Sequence, residues 1–198
     1  MTVGDVVIRR AERSDAGRLA ELHATRIVEG FLPRLGPRFL SRLYRRLVLS
    51  PDGFAVVAVQ DGRVVGFAAG ATDLGRVYRS FVLHDGVIAG LGAAPRIVGS
   101  WRAVLETLRY PGSIDDLPEA EVLSVAVDGD AAGRGIGRRL LTASLDELTR
   151  RGARAAKVVA GADNRAALAL YTQAGFAVRQ RIEVHAGTAS EVLVWVAP

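Results

Sequence analysis

The chain has 198 residues, 49% of them hydrophobic and 24% charged, a balance that lets a single domain bury roughly 70% of its surface and excludes disorder over most of its length. It has no cysteine, which excludes disulfides, thiolate-held zinc or iron–sulfur centres and any covalent mechanism through a cysteine thioester. The net charge is +5 and Lys157 is the sole lysine, so arginine carries the remaining positive charge, scattered along the chain. That scatter makes nucleic acid an improbable partner.

In chain order, Val6 to Arg10 is β-branched enough for an edge strand, and Ser14 stands where an N-cap would open a helix carrying Leu19, Leu22, His23 and Ile27 on one face. Pro37 to Leu49 predicts a second amphipathic helix, with Phe39, Leu40, Leu43, Tyr44 and Leu47 on its apolar side. Phe54–Val59 and Val64–Ala71 flank Asp61-Gly62 and predict an antiparallel hairpin. Residues 73–118 are too many for a structureless loop. Their apolar spacing predicts helices over Arg79–Leu91 and Pro95–Arg109.

Glu121–Val127, Ile136–Arg150 and Ala155–Ala160 read as strand, helix and strand, one βαβ unit. A short helix over Ala166–Gln173 ends at Gly175, and Phe176–Val184 with Glu191–Val196 completes the sheet around Gly187. No run of 18 apolar residues exists, and the start, MTVGDVVIRR, lacks the basic and apolar regions of a signal peptide. A cytoplasmic protein that does not enter the membrane is expected. His23, His84 and His185 show no metal-ligand spacing, so no metal is assigned.

The chemistry concentrates in EVLSVAVDGDAAGRGIG, residues 121–137. Here a strand leads through Gly133, Arg134, Gly135, Ile136 and Gly137 into a helix that continues with Arg138. The first amides of a helix have no internal acceptors and carry the positive end of its dipole, so this order suits a phosphate group. A P-loop would need Lys and Ser or Thr after the last glycine, and a dinucleotide fingerprint would need glycine at Arg138; neither is present.

This run, together with Asn164, Ala167, Leu170-Tyr171 and Gly175-Phe176 at the family's spacing, resembles the GCN5-related N-acetyltransferase (GNAT) superfamily. Ala132 departs from the pattern, standing where the acetyl-CoA signature has Gln or Arg. The resemblance covers nearly the whole chain and implies one α/β (α+β) domain. Its central sheet would be mixed and mostly antiparallel, of 6–7 strands, with splayed parallel strands four and five and, here, a helical insertion over residues 73–118. It implies acetyl-CoA as acyl donor, held by Val125, Ala126 and Val127 along the pantetheine arm. Gly133, Arg134, Gly135, Ile136, Gly137 and Arg138 would hold the diphosphate, and Asn164 and Ala167 would line the arm.

The resemblance also implies that the Val125 amide stabilises the acetyl oxyanion and that Tyr171, near the sulfur, protonates the leaving thiolate. A primary amine must lose a proton before it attacks. Glu121 is the candidate base, expected on the same sheet face as Val125 because four residues separate them. The acceptor pocket is expected around Glu29–Gly36, the insertion and His185–Ser190. The acceptor itself, the acyl length and the oligomeric state, a homodimer included, stay open. A non-catalytic acyl-CoA-binding module and, further off, a nucleic-acid-binding protein are the alternatives.

Overall fold

The computed structural model describes residues 5–27, 36–81, 83, 117–184 and 188–198. Their seven strands are β1 (Val7–Arg10), β2 (Gly53–Gln60), β3 (Arg63–Ala71), β4 (Glu121–Val127), β5 (Ala155–Gly161), β6 (Ala177–Val184) and β7 (Thr188–Val196). They form one sheet in the order β1-β2-β3-β4-β5-β7-β6. Every neighbouring pair is antiparallel except β4 and β5. The helices are α1 (Ala16–Arg26), α2 (Pro37–Leu49), α3 (residues 74–81), α4 (Ile136–Arg150) and α5 (Arg165–Gln173).

Both faces of the sheet are covered, which is why β2 and β3 read as nearly continuous apolar runs rather than as alternating strands. Ala55 and Val57 join Phe67 and Ala69 under Leu19, Leu22, Leu40 and Tyr44 of α1 and α2. Their neighbours Val56 and Ala58 turn the other way, to Ile136 and Leu140 of α4. On that second face Leu141, Leu145 and Leu148 of α4 and Tyr171 of α5 pack over Val122, Val158 and Leu193. Leu140, Leu141 and Leu148 are wholly buried, so truncating any one to alanine costs about 2–5 kcal/mol.

The turn chemistry is local. Asp61 and Gly62 both have positive φ, 50° and 75°, as a two-residue hairpin turn of the right twist demands. Pro37 occupies the first turn of α2, after Gly36 at φ 85°, a place where proline forfeits no helical bond.

Three expectations are corrected. Ser14 is not the cap of α1: it lies within a 3₁₀ turn, Arg13–Asp15, and Asp15 is the N-cap residue. The Asp15 carboxylate accepts the Glu12 amide at 2.7 Å and pairs with Arg9 at 2.7 Å. A charged acceptor outcompetes a neighbouring hydroxyl for such donors. The first helix of the insertion starts at residue 74 rather than Arg79, because Asp73 accepts the Arg76 amide at 2.8 Å. It packs on α2 through Phe81 and Phe39, ring centroids 5.3 Å apart. Strand β7 starts at Thr188, with Ala189 and Ser190 paired to Glu183 and Ile182, so the last turn is shorter than expected. The remainder of the Arg79–Leu91 helix, all of the Pro95–Arg109 helix, His84, His185 and residues 28–35 lie outside the described residues. Among the described residues no helix is long and apolar enough to cross a membrane, and no cluster of three or more metal-ligating side chains occurs.

Candidate active site

Strands β4 and β5 meet at one bridge, Glu121 opposite Lys157, where the Lys157 amide donates to the Ala120 carbonyl at 2.9 Å. Beyond it they part. On its other side β4 is paired with β3, and there the Asp128 amide donates to Val65 at 2.7 Å. Hydrogen-bonding direction alternates along an antiparallel strand, so Ala126 and Ser124 also turn their amides to β3, while Val125 and Val127 turn theirs into the gap. Ala126 is therefore not available to a ligand through its amide, and its methyl is buried under α1 and α2. Among the described residues these two donors stay unpaired, along one wall of an opening between strands.

The gap leads to the glycine turn. Arg18 of α1 pairs with Asp128 and donates to the Val64 carbonyl, anchoring the end of β4 from which the turn departs. Gly133 and Gly135 both adopt φ +74°, a left-handed conformation that side-chain-bearing residues rarely tolerate. Helix α4 follows with Gly135 as N-cap, and the first helical bond is from the Arg139 amide to the Gly135 carbonyl at 3.1 Å. Among the described residues no acceptor takes the amides of residues 133–138. A Cβ on Gly137 would stand 3.8 Å from Val127 of β4 and Leu170 of α5, so this glycine faces the gap. Arg134 and Arg138 are exposed, Arg134 donating to Gln60 at 3.2 Å. The exposed Ala132 donates its amide to Gly129. An anionic diphosphate fits this cradle by charge and by vacant donors.

Glu121 sits at the apex of the opening, its carboxylate 3.8 Å from the Lys157 ammonium and 14% exposed. Burial pushes its carboxyl above the ordinary range, and the Lys157 charge opposes that rise. The expectation that Glu121 shares a face with Val125 fails. The β3–β4 register runs Ala69 to Ser124 and then Gly70 to Val122, passing over Leu123. This bulge resets the alternation: Val122 and Val125 both pack toward α4 and α5. Glu121, next to Val122, takes the opposite face, which is also the face of Lys157, because Ala156 and Val158 on either side of that residue belong to the α4–α5 core.

Tyr171 of α5 is 6% exposed, and its ring meets Phe176 edge-on at 5.6 Å. It belongs to the cluster that holds Val122 and borders Val125. Burial pushes its phenol up to about 12, and its hydroxyl has no hydrogen-bond partner among the described residues. Asn164 caps α5 by accepting the Ala167 amide at 3.1 Å, so that amide is engaged within the helix cap.

Sequence reasoning passed over a buried relay. His23 Nδ1 lies 2.6 Å from Tyr44 Oη, which donates to Ser124 Oγ at 3.4 Å. This links α1, α2 and the bulged segment of β4 next to Val125. The sequence places His23 and Tyr44 on apolar helix faces without linking them to each other, and no local signal joins residues 21 and 80 positions apart.

Residues 19–176 match the acetyltransferase (GNAT) family. A mycothiol acetyltransferase from Kocuria rhizophila is 40% identical over 67 residues, 34% of this chain and 22% of that protein. The [ribosomal protein bS18]-alanine N-acetyltransferase of Escherichia coli strain K12 is 43% identical over 60 residues, 30% of this chain and 40% of that protein. The chain thus matches less than half the length of either relative. The structure of yncA from Salmonella typhimurium with its cofactor acetyl-CoA has a TM-score of 0.64 at 20% identity, with 98% of this chain and 95% of that chain covered. The family match spans most of the sequence and the fold agrees with it: the chain belongs to the GNAT acetyltransferase family.

Proposed function

We propose that this protein transfers an acetyl group from acetyl-CoA directly to a primary amine of a small molecule or a protein, with no covalent enzyme intermediate. The observation that carries the reading is the row of vacant amides, Val125 and Val127 in the gap and residues 133–138 at its mouth. The amides of Gly133, Gly135, Ile136 and Gly137 hold the diphosphate, with Arg134 and Arg138 adding charge. The Val127 amide steadies the pantetheine arm, and the Val125 amide receives the charge that develops on the acetyl oxygen. A fixed donor needs no reorganisation as that charge forms.

Tyr171 protonates the leaving thiolate. Its buried phenol keeps its proton throughout the neutral range, as an acid for this step must. Glu121 takes the proton of the amine, directly or through a water. A carboxylate whose proton affinity is raised by burial is a better base at neutral pH than an exposed one. Holding the two reactants in one gap supplies much of the acceleration. Asn164 borders the arm while it caps α5.

Thermal unfolding with acetyl-CoA, CoA and desulfo-CoA tests the donor site, since a ligand selective for the folded state raises the midpoint by mass action. A saturable rise with each is expected. Thiol release across a panel of amines then identifies acceptors. No rise at millimolar ligand would overturn the reading.

A further inference from the structure

The only lysine of the chain stands at the one point where β5 grips β4. Lys157 holds three groups there. Its backbone amide donates to the Ala120 carbonyl at 2.9 Å, its ammonium donates to the Pro118 carbonyl at 2.6 Å, and the same ammonium lies 3.8 Å from the Glu121 carboxylate. The side chain is 20% exposed. On a strand whose other members are Ala, Val and Gly, a partly buried ammonium is a costly choice unless it answers a buried anion.

The surroundings of Glu121 name that anion. Strand β3 places Ala71 opposite it, the neighbours of Lys157 on β5 are Ala156 and Val158, and Lys157 is the one charged group among the described residues acting on the Glu121 carboxyl. The bulge at Leu123 turns Glu121 to the face on which Lys157 lies, so the pair is a product of strand register and not of sequence proximity.

We propose that Lys157 is a positioning residue for the acceptor half of the reaction: it holds the Glu121 carboxylate ionised and fixed at the apex of the gap, and it ties that apex to the end of the inserted segment at Pro118. The inference rests on the reading of Glu121 as the base. An anion desolvated for catalysis tends to neutralise by taking up a proton, and an ammonium at 3.8 Å counters that tendency. The Pro118 bond gives the ammonium a fixed seat, so the field at Glu121 is preorganised rather than supplied by a mobile chain.

Carboxyl ¹³C-glutamate labelling follows Glu121 directly, with its signal assigned by its loss in Glu121→Gln. In Lys157→Gln, which keeps an N–H donor for Pro118 and loses the charge, the Glu121 midpoint is expected to rise by about one pH unit or more. Lys157→Arg should restore it. An unchanged midpoint in Lys157→Gln overturns the proposal. Should that variant not fold, Lys157→Met, which keeps the stem and loses the charge, takes its place under the same criterion: the Glu121 midpoint should rise relative to wild type, an unchanged midpoint being the overturning result. The acid limb of kcat/KM for acetyl-CoA-dependent thiol release, with n-butylamine as acceptor, should then follow the Glu121 midpoint across wild type, Lys157→Gln and Lys157→Arg. A midpoint that moves while the limb stays put overturns the catalytic role of the pair through the base assignment, leaving the charge coupling itself established.

Discussion

His23 Nδ1 and Tyr44 Oη face each other at 2.6 Å with both side chains buried, and His23 Nε2 has no partner among the described residues. The imidazole is therefore kept neutral: burial pushes it from 6.5 down to about 4. The unfolded chain takes up the proton first, so stability is full above about pH 6.5 and declines as the pH falls toward 4. The decline attributable to this group is about 3 kcal/mol over that window. Glu121, raised by burial, works in the opposite sense, its contribution present at low pH and lost as the pH rises. The His23 slope is thus obtained from chemical denaturation of wild type and His23→Gln across the window, and the difference between them should vanish at neutral pH apart from a constant offset.

Tyr44→Phe strands the His23 Nδ1 that the phenol satisfied and removes the link to Ser124. A loss of about 1–3 kcal/mol in unfolding free energy is expected. Urea titration measures it directly.

Tyr171→Phe deletes a hydroxyl that has no partner among the described residues, so the fold should be indifferent to it. Turnover should fall by about 100-fold or more if the phenol supplies the proton, with the acetyl-CoA-induced rise in Tm unchanged. Steady-state kinetics beside thermal unfolding separates the two effects, and retained turnover would remove the acid role.

Gly70→Ala and Gly137→Ala should part company. A Cβ on Gly70 would lie 2.6 Å from Phe54 Cζ and 3.0 Å from the Glu121 carbonyl, so the change overpacks the core by about 1–3 kcal/mol and displaces the backbone of Glu121. A Cβ on Gly137 meets ordinary contacts only, and alanine favours the helix by up to about 1 kcal/mol. Gly137→Ala should unfold no earlier than wild type yet show a smaller Tm rise with acetyl-CoA, because its methyl projects into the gap. Equal ligand-induced rises would place the diphosphate elsewhere.

Much of the fold is written in short-range signals. Asp61-Gly62 fixes a turn because both residues must take positive φ, and Gly133 and Gly135 mark the same need at the mouth of the gap. The apolar spacing of Leu40, Leu43, Tyr44 and Leu47 defines a helix face. What escaped the sequence reading depends on partners distant in the chain. The bulge at Leu123 exists only in the register of β3 against β4, and it reverses the facing of Glu121 that even spacing implies. The Lys157–Glu121 pair and the His23–Tyr44–Ser124 relay likewise arise from tertiary packing. Asp73 is the exception, a readable helix-start signal three residues before Arg76.

The single bridge between β4 and β5 divides the sheet into two leaves, β1 to β4 and β5 with β7 and β6. Each leaf is laced internally by antiparallel ladders, whereas the seam between them relies on one pair of residues and on the side chains of α4 and α5 packed across it. A pantetheine arm bound there, as proposed, would be a stand-in strand, supplying the acceptors that a neighbouring backbone would otherwise provide. On the proposed reading the protein would leave part of its own secondary structure to be completed by its donor, so that filling the site and finishing the sheet would be one event.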